Sequence, residues 1–133
     1  MTKVLIVDDE LDIREVLTRV LERESLSVRV AETGAEGLRK FREEPADIVI
    51  TDIIMPDLDG IEFIRSLRRE FPDTRIIAIS GGGNMGPLGY RPEAISTTAY
   101  LVAAERAGAN CVITKPFHRE ELITKIREFR PAS

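Results

Sequence analysis

Three short runs along the chain are apolar throughout or nearly so: Val4–Val7, Ile48–Ile50 and Ile76–Ile79. A strand covered on one face alternates apolar and polar residues. Unbroken runs therefore predict strands covered on both faces, as in the middle of a parallel sheet. The stretch Ser27–Ala31 alternates instead, with Val28 and Val30 inward and Arg29 outward, which suits an edge strand. Cys111–Ile113 is a fifth, shorter candidate.

Between these runs the spacing becomes helical. Ile13, Val16, Leu17, Val20 and Leu21 form one apolar stripe at three- and four-residue intervals. Ala35, Leu38 and Phe41 mark a second helix, ended by Pro45, and Ile61, Ile64 and Leu67 a third, ended near Pro72. Tyr100, Leu101 and Ala104 mark a fourth that Gly108 terminates, and Leu122, Ile126 and Phe129 a fifth. Strict alternation of strand and helix predicts an α/β fold of (βα)5 type, doubly wound, with a parallel five-stranded sheet and helices on both faces. Residues 1–133 read as a single domain with a core over about residues 3–130, and the final Arg-Pro-Ala-Ser as a frayed tail.

Composition removes several function classes. Apolar residues make up 43% and charged residues 32%, the balance of a soluble globular domain. Nineteen basic against 23 acidic residues leave a net charge of −4, which argues against nucleic-acid binding. The lone Cys111 excludes an internal disulfide and fits a reducing compartment. Val4–Val7 is too short for the apolar core of a signal peptide, and no run reaches the length of a membrane span. A cytoplasmic protein without membrane insertion is expected.

The first strand runs directly into Asp8, Asp9 and Glu10. Like charges repel and are expensive to bury unpaired, so something positive is expected there. Open parallel sheets bind ligands beyond the carboxyl ends of their strands. Asp8 and Asp9 follow the first strand, Asp52 the third, Ser80 the fourth, and Lys115 then Pro116 the fifth. Three carboxylates, a hydroxyl and an ammonium thus converge on one rim. Such a set of hard oxygen ligands is a magnesium site, with water and phosphate oxygens completing the octahedron.

In these residues the chain resembles a response-regulator receiver domain, the phosphoacceptor module of two-component signalling and of chemotaxis regulators. The matching stretches are "VLIVDDE", "DIVITDIIMPDLDG", "RIIAIS" and "GANCVITKPF", in family order over residues 4–117. Each is weak alone; together they are specific. The resemblance implies a flavodoxin-like fold with strand order 2-1-3-4-5. It implies that Asp52 is the phosphoacceptor, that Asp9 ligates Mg2+ directly, and that Asp8 does so mostly through water. Ile54 would lend its backbone carbonyl to the metal. Ser80 would donate to a phosphoryl oxygen, Lys115 would pair with the phosphoryl group, and Lys115–Pro116 would be a cis peptide. A sensor histidine kinase or histidine phosphotransfer protein would be the partner, together with an output partner that the sequence does not name. With no output domain following residue 133, the expected action is binding by a single-domain receiver, monomeric or weakly dimeric through the fourth helix, fifth strand and fifth helix. The alternative is a relay that passes the phosphoryl group on to a phosphotransfer protein. Chemistry would be limited to self-phosphorylation and self-dephosphorylation.

Simpler readings exist for each feature. Asp8 and Asp9 could cap the first helix, "MPDLDG" could be only a turn, His118 reads as a helix start, and the charged run Arg65–Arg69 as a solvated helix face. A hydrolase with an aspartyl-phosphate intermediate, of the haloacid-dehalogenase kind, needs a second acid two residues after the nucleophile, where this chain has Ile54. Gly81, Gly83 and Gly86 satisfy a dinucleotide-binding spacing, but Pro87, Gly89 and Pro92 prevent the helix that must follow. Two departures from the receiver pattern stand out. Val112 occupies the place of the family's switch aromatic, and the extended loop at residues 81–93 makes the segment from Ser80 to Lys115 longer than usual by about a dozen residues. That loop is either a passive insertion or a segment ordered by phosphorylation that presents Met85, Leu88 and Tyr90 to a partner.

Overall fold

A computed structural model describes residues 1–53, 60–80, 102–114 and 117–131, apart from the side chain of Ser80. The elements run β1 (Lys3–Val7), α1 (Leu11–Glu22), β2 (Ser27–Ala31), α2 (Gly34–Glu43), β3 (Ile48–Asp52), α3 (Gly60–Glu70), β4 (Arg75–Ser80), α4 (residues 102–107), β5 (Cys111–Thr114) and α5 (Arg119–Phe129). The five strands form one sheet in the order β2-β1-β3-β4-β5, with every neighbouring pair parallel. This is the doubly wound architecture that the alternation predicts.

The unbroken apolar runs are explained by two cores, one on each side of the sheet. Successive side chains of a strand point to opposite faces. Leu5, Val7, Val49, Ile76 and Ala78 therefore pack with Phe41 of α2, with Phe63, Ile64 and Leu67 of α3, and with Ala104 of α4. Val4, Ile6, Ile48, Ile50, Ile77 and Ile79 pack on the other face with Leu17 and Leu21 of α1 and with Leu122 and Ile126 of α5. Val112 lies opposite Ala78, half-buried against the first core. Tyr100, Leu101 and the 81–93 loop fall outside the described residues. No helix among those described is long and apolar enough to cross a membrane.

Small and charged residues depart from the apolar stripes. In α1, Val16 is 54% exposed, and Arg14 joins Leu17 and Leu21 on the buried face. In α2, Ala35 is exposed while Gly34 and Gly37 are buried. There a Cβ on Gly37 would stand 2.9 Å from Val7 Cγ2, so the missing side chain lets the helix sit close to the sheet. Arg29 of the edge strand does not point freely to water. It donates to Lys40 O at 3.2 Å and to Glu44 O at 3.1 Å, satisfying carbonyls at the end of α2. Cys111 is half-buried, and burial pushes its thiol pKa up, away from reactivity.

The run Arg65–Arg69 is only partly a solvated face. Arg65 pairs with Glu62 on the surface, but Arg68 is half-buried and bridges two loop segments, the one before β4 and the one before β5. It donates to Pro72 O and Thr74 O at 2.6 and 2.7 Å, to Gly108 O at 2.6 and 3.2 Å, and to Asn110 Oδ1 at 2.9 Å. Asn110 Oδ1 also accepts the N–H of Ile76, so the clamp extends to the start of β4. Gly108 ends α4 with φ of 129°, a conformation that other residues resist, and the Arg68 side chain lies against the place a Cβ would fill. Truncation at Arg68 leaves several of these carbonyls without a donor. Arg68→Ala is expected to lower stability by about 2 kcal/mol, read as a lower urea midpoint at unchanged slope. A midpoint equal to wild type would show that water replaces the clamp without cost.

Candidate functional site

Sheet register gathers the strand ends. Val7 of β1 lies opposite Thr51 of β3, so Asp8 and Asp52, the next residue of each, stand side by side. Asp52 lies opposite Ile79 of β4, and Ser80 opposite Thr114 of β5. Backbone bonding continues past the strands: Asp8 N–H donates to Ala31 O, and Ile53 N–H to Ile79 O, both at 3.1 Å. The carboxyl ends of four strands thus form one rim, set by the sheet itself.

Four carboxylates meet on that rim. One oxygen from each of Asp8, Asp9, Glu10 and Asp52 lies within 4.8 Å of every other. Asp8 and Asp52 are only 1% and 4% exposed, whereas Asp9 and Glu10 face water. The cluster therefore has a buried floor and a wet mouth. Glu10 extends the expected set of Asp8, Asp9 and Asp52; its signal in the sequence was the unbroken acidic run itself.

A local turn presents the three consecutive acids together. Asp8 Oδ1 accepts the N–H of Glu10 at 2.9 Å, an Asx-type turn that bends the chain between β1 and α1. Glu10, not Asp8 or Asp9, occupies the N-cap position of α1, and its side chain makes no capping bond. The helix-cap reading of the two aspartates is thus corrected: Asp8 serves the turn before the helix. His118 occupies the N-cap position of α5, as a helix-start residue should. On the other side of the rim, Thr51 Oγ1 donates to Asp52 O at 2.8 Å, and Gly60 N–H donates to Ile53 O at 2.7 Å. Gly60 thereby seats the start of α3 against the end of β3. Ile54, Lys115 and Pro116 lie outside the described residues, as does the side chain of Ser80.

Donor chemistry decides which ion fits. Four carboxylates with no imidazole or thiolate among them favour a hard cation such as Mg2+ over zinc. Burying Asp8 and Asp52 within a cluster of like charge costs both desolvation and repulsion, and a divalent ion offsets both. Shape alone would direct attention elsewhere. A groove of about 670 Å³ lies at the opposite end of the sheet, lined by Asp47, Asp73, Arg75, Glu128 and Arg130 among others. Charges of both signs are mixed there, and it gathers no comparable carboxylate cluster among the described residues.

Known proteins share this arrangement of sequence. The response regulator receiver domain model matches residues 4–89. The response regulator receiver protein CpdR of Brucella abortus is 30% identical over 128 residues, covering 96% of this chain and 96% of that protein. The transcriptional regulatory protein ResD of Bacillus subtilis is 35% identical over 95% of this chain but only 47% of its own length. The chain spans about half the length of several curated relatives that it matches. Among solved structures, the response regulator TrrA of Thermotoga maritima, in complex with Mg2+ and BeF, aligns with a TM-score of 0.75. It is 31% identical and covers 97% of this chain and 99% of that one.

Proposed function

The chain belongs to the response regulator receiver domain family, and on that premise we propose that it is a phosphoacceptor switch whose Asp52 takes up a phosphoryl group with Mg2+ present. The observation that carries this reading is the meeting of Asp8, Asp9, Glu10 and Asp52 at the carboxyl rim, with Asp52 on its buried floor. Asp9 would hold the metal directly, Asp8 mostly through water, and Asp52 and the Ile54 carbonyl would complete the protein's share. Glu10 faces the same mouth and would contribute charge or an additional oxygen. Mg2+, when bound, supplies positive charge that offsets the repulsion between carboxylates and an incoming phosphoryl group.

Phosphoryl transfer asks little covalent chemistry of the protein beyond a positioned nucleophile and matched charge. One Asp52 oxygen forms a bond to phosphorus as the bond to the donor's leaving atom breaks, and that atom keeps the electron pair. Ser80, at the end of β4, would donate its hydroxyl to a phosphoryl oxygen. Lys115, immediately after β5, would pair its ammonium with the group. A sensor histidine kinase or a histidine phosphotransfer protein would be the physiological donor, and altered binding of an output partner the result. The whole chain would act as one receiver unit.

The test is incubation with acetyl phosphate. Intact mass should show one added phosphoryl group when Mg2+ is present and almost none in excess EDTA. Equal labelling in both would defeat the metal dependence. Several added groups would defeat the single-site reading.

A further inference from the structure

We propose that Arg14 is a positioning residue for this cation site, holding the Asp8 peptide and with it the shape of the acid turn. The inference rests on the reading of the carboxylate cluster as a metal site. Arg14 lies on α1, where its side chain is 10% exposed while Val16, two residues on, faces water. A buried guanidinium is costly unless its donors are used. Nη1 donates to Asp8 O at 2.7 Å, a short charge-assisted bond. Nη2 reaches Glu32 Oε1 only at 3.4 Å, and the Glu32 side chain is 70% exposed. The Asp8 carbonyl is therefore the principal partner.

Asp8 is then held on three sides, by β2, by α1 and by the turn that leads into α1. Its N–H donates to Ala31 O of β2, its carbonyl accepts from Arg14 of α1, and its carboxylate accepts from Glu10 N–H. These bonds fix the peptide from which Asp8, Asp9 and Glu10 fan out towards Asp52. Arg14 bonds to the Asp8 carbonyl and to Glu32, and it acts on the cluster through the Asp8 backbone.

Charge and position predict opposite effects, which makes the role testable. If only the positive charge of Arg14 mattered, removing it would tighten the binding of a cation. If its hold on Asp8 matters more, removing it loosens the turn and weakens binding. Groups that support metal ligands from behind typically change affinity by tenfold or more.

The experiment is a titration of the full chain with Mg2+ alone, followed by the amide shifts of Asp8 and Asp9, in wild type, Arg14→Met and Arg14→Lys. Urea unfolding without Mg2+ runs in parallel. Arg14→Met should bind about tenfold more weakly, and Arg14→Lys about threefold, because lysine keeps the charge but loses the fork. A purely structural role would lower the urea midpoint and leave the affinity of the folded protein unchanged. Either folded variant binding Mg2+ as tightly as wild type, or more tightly, overturns the proposal. If Arg14→Met fails to fold, Arg14→Lys alone decides. Wild type that binds no Mg2+ at this rim would instead overturn the metal reading and this inference with it.

Discussion

Asp52→Asn is expected to take up no phosphoryl group under conditions that label wild type fully. Asparagine is nearly isosteric with aspartate, and the position is pinned by the backbone. Asp52 ends β3 in register with Ile79, its carbonyl accepts from Thr51 Oγ1, and the side chain sits in a residue only 4% exposed. The amide can keep that place but cannot act as an anionic nucleophile, so the loss should be complete. Asp8 is equally buried, but its Oδ1 is committed to the Glu10 N–H that forms the turn. Asp8→Asn should therefore label more slowly without losing the site. A misfolding explanation has an opposite signature. Asparagine fills the same volume in the same place, so Asp52→Asn should stay folded and melt cooperatively near the wild-type temperature without Mg2+. Undiminished labelling of Asp52→Asn, located by mass spectrometry, would remove Asp52 as the acceptor.

Much of the fold could be read from apolar spacing because a sheet covered on both faces leaves a plain mark. Val4–Val7 and Ile76–Ile79 admit no solvent face, and the two cores use alternate residues of each. The acids at the strand ends were equally legible, since register alone brings Asp8 beside Asp52. Hydropathy fails where burial is achieved by something other than an apolar side chain. Gly34 and Gly37 are buried because they permit a close approach, while Ala35 beside them is exposed. Arg14, Arg29 and Arg68 leave the water by spending their donors on carbonyls. Those acceptors lie 6, 11, 15 and 40 residues away in the chain, and a charge read as a letter cannot announce them. Glu10 belongs with these cases. Its carboxylate joins the cluster through the turn at Asp8, a backbone event that has no apolar period.

Gly60→Ala should damage both stability and labelling, because the site and the start of α3 share one backbone contact. The reason is space rather than backbone angle. A Cβ at Gly60 would stand 2.5 Å from Ile53 Cα and 2.7 Å from Ile53 O, and closer still to Asp52 O. These neighbours are backbone atoms and cannot rotate away. Gly60 N–H also closes on Ile53 O at 2.7 Å, so a shift of α3 costs that bond as well. Overpacking a well-filled position usually costs 1–3 kcal/mol; with only backbone to yield, about 3 kcal/mol and a melting point lower by about 10 °C are expected. Gly37→Ala provides the comparison. Its Cβ would meet the side chains of Val7 and Phe63, at 2.9 and 3.1 Å, which can adjust, so a loss of about 1 kcal/mol is expected there. The two variants should also differ in function. At Gly37 only side chains need to give way, so its variant should label near the wild-type rate once folded. Gly60→Ala must displace the Asp52 carbonyl or α3, and if Asp52 is the acceptor proposed above, a displacement of about a few tenths of an ångström there should slow labelling by about tenfold. Gly60→Ala that melts and labels like wild type would mean that the end of β3 and the start of α3 are free to part, and that Asp52 is not held by their contact.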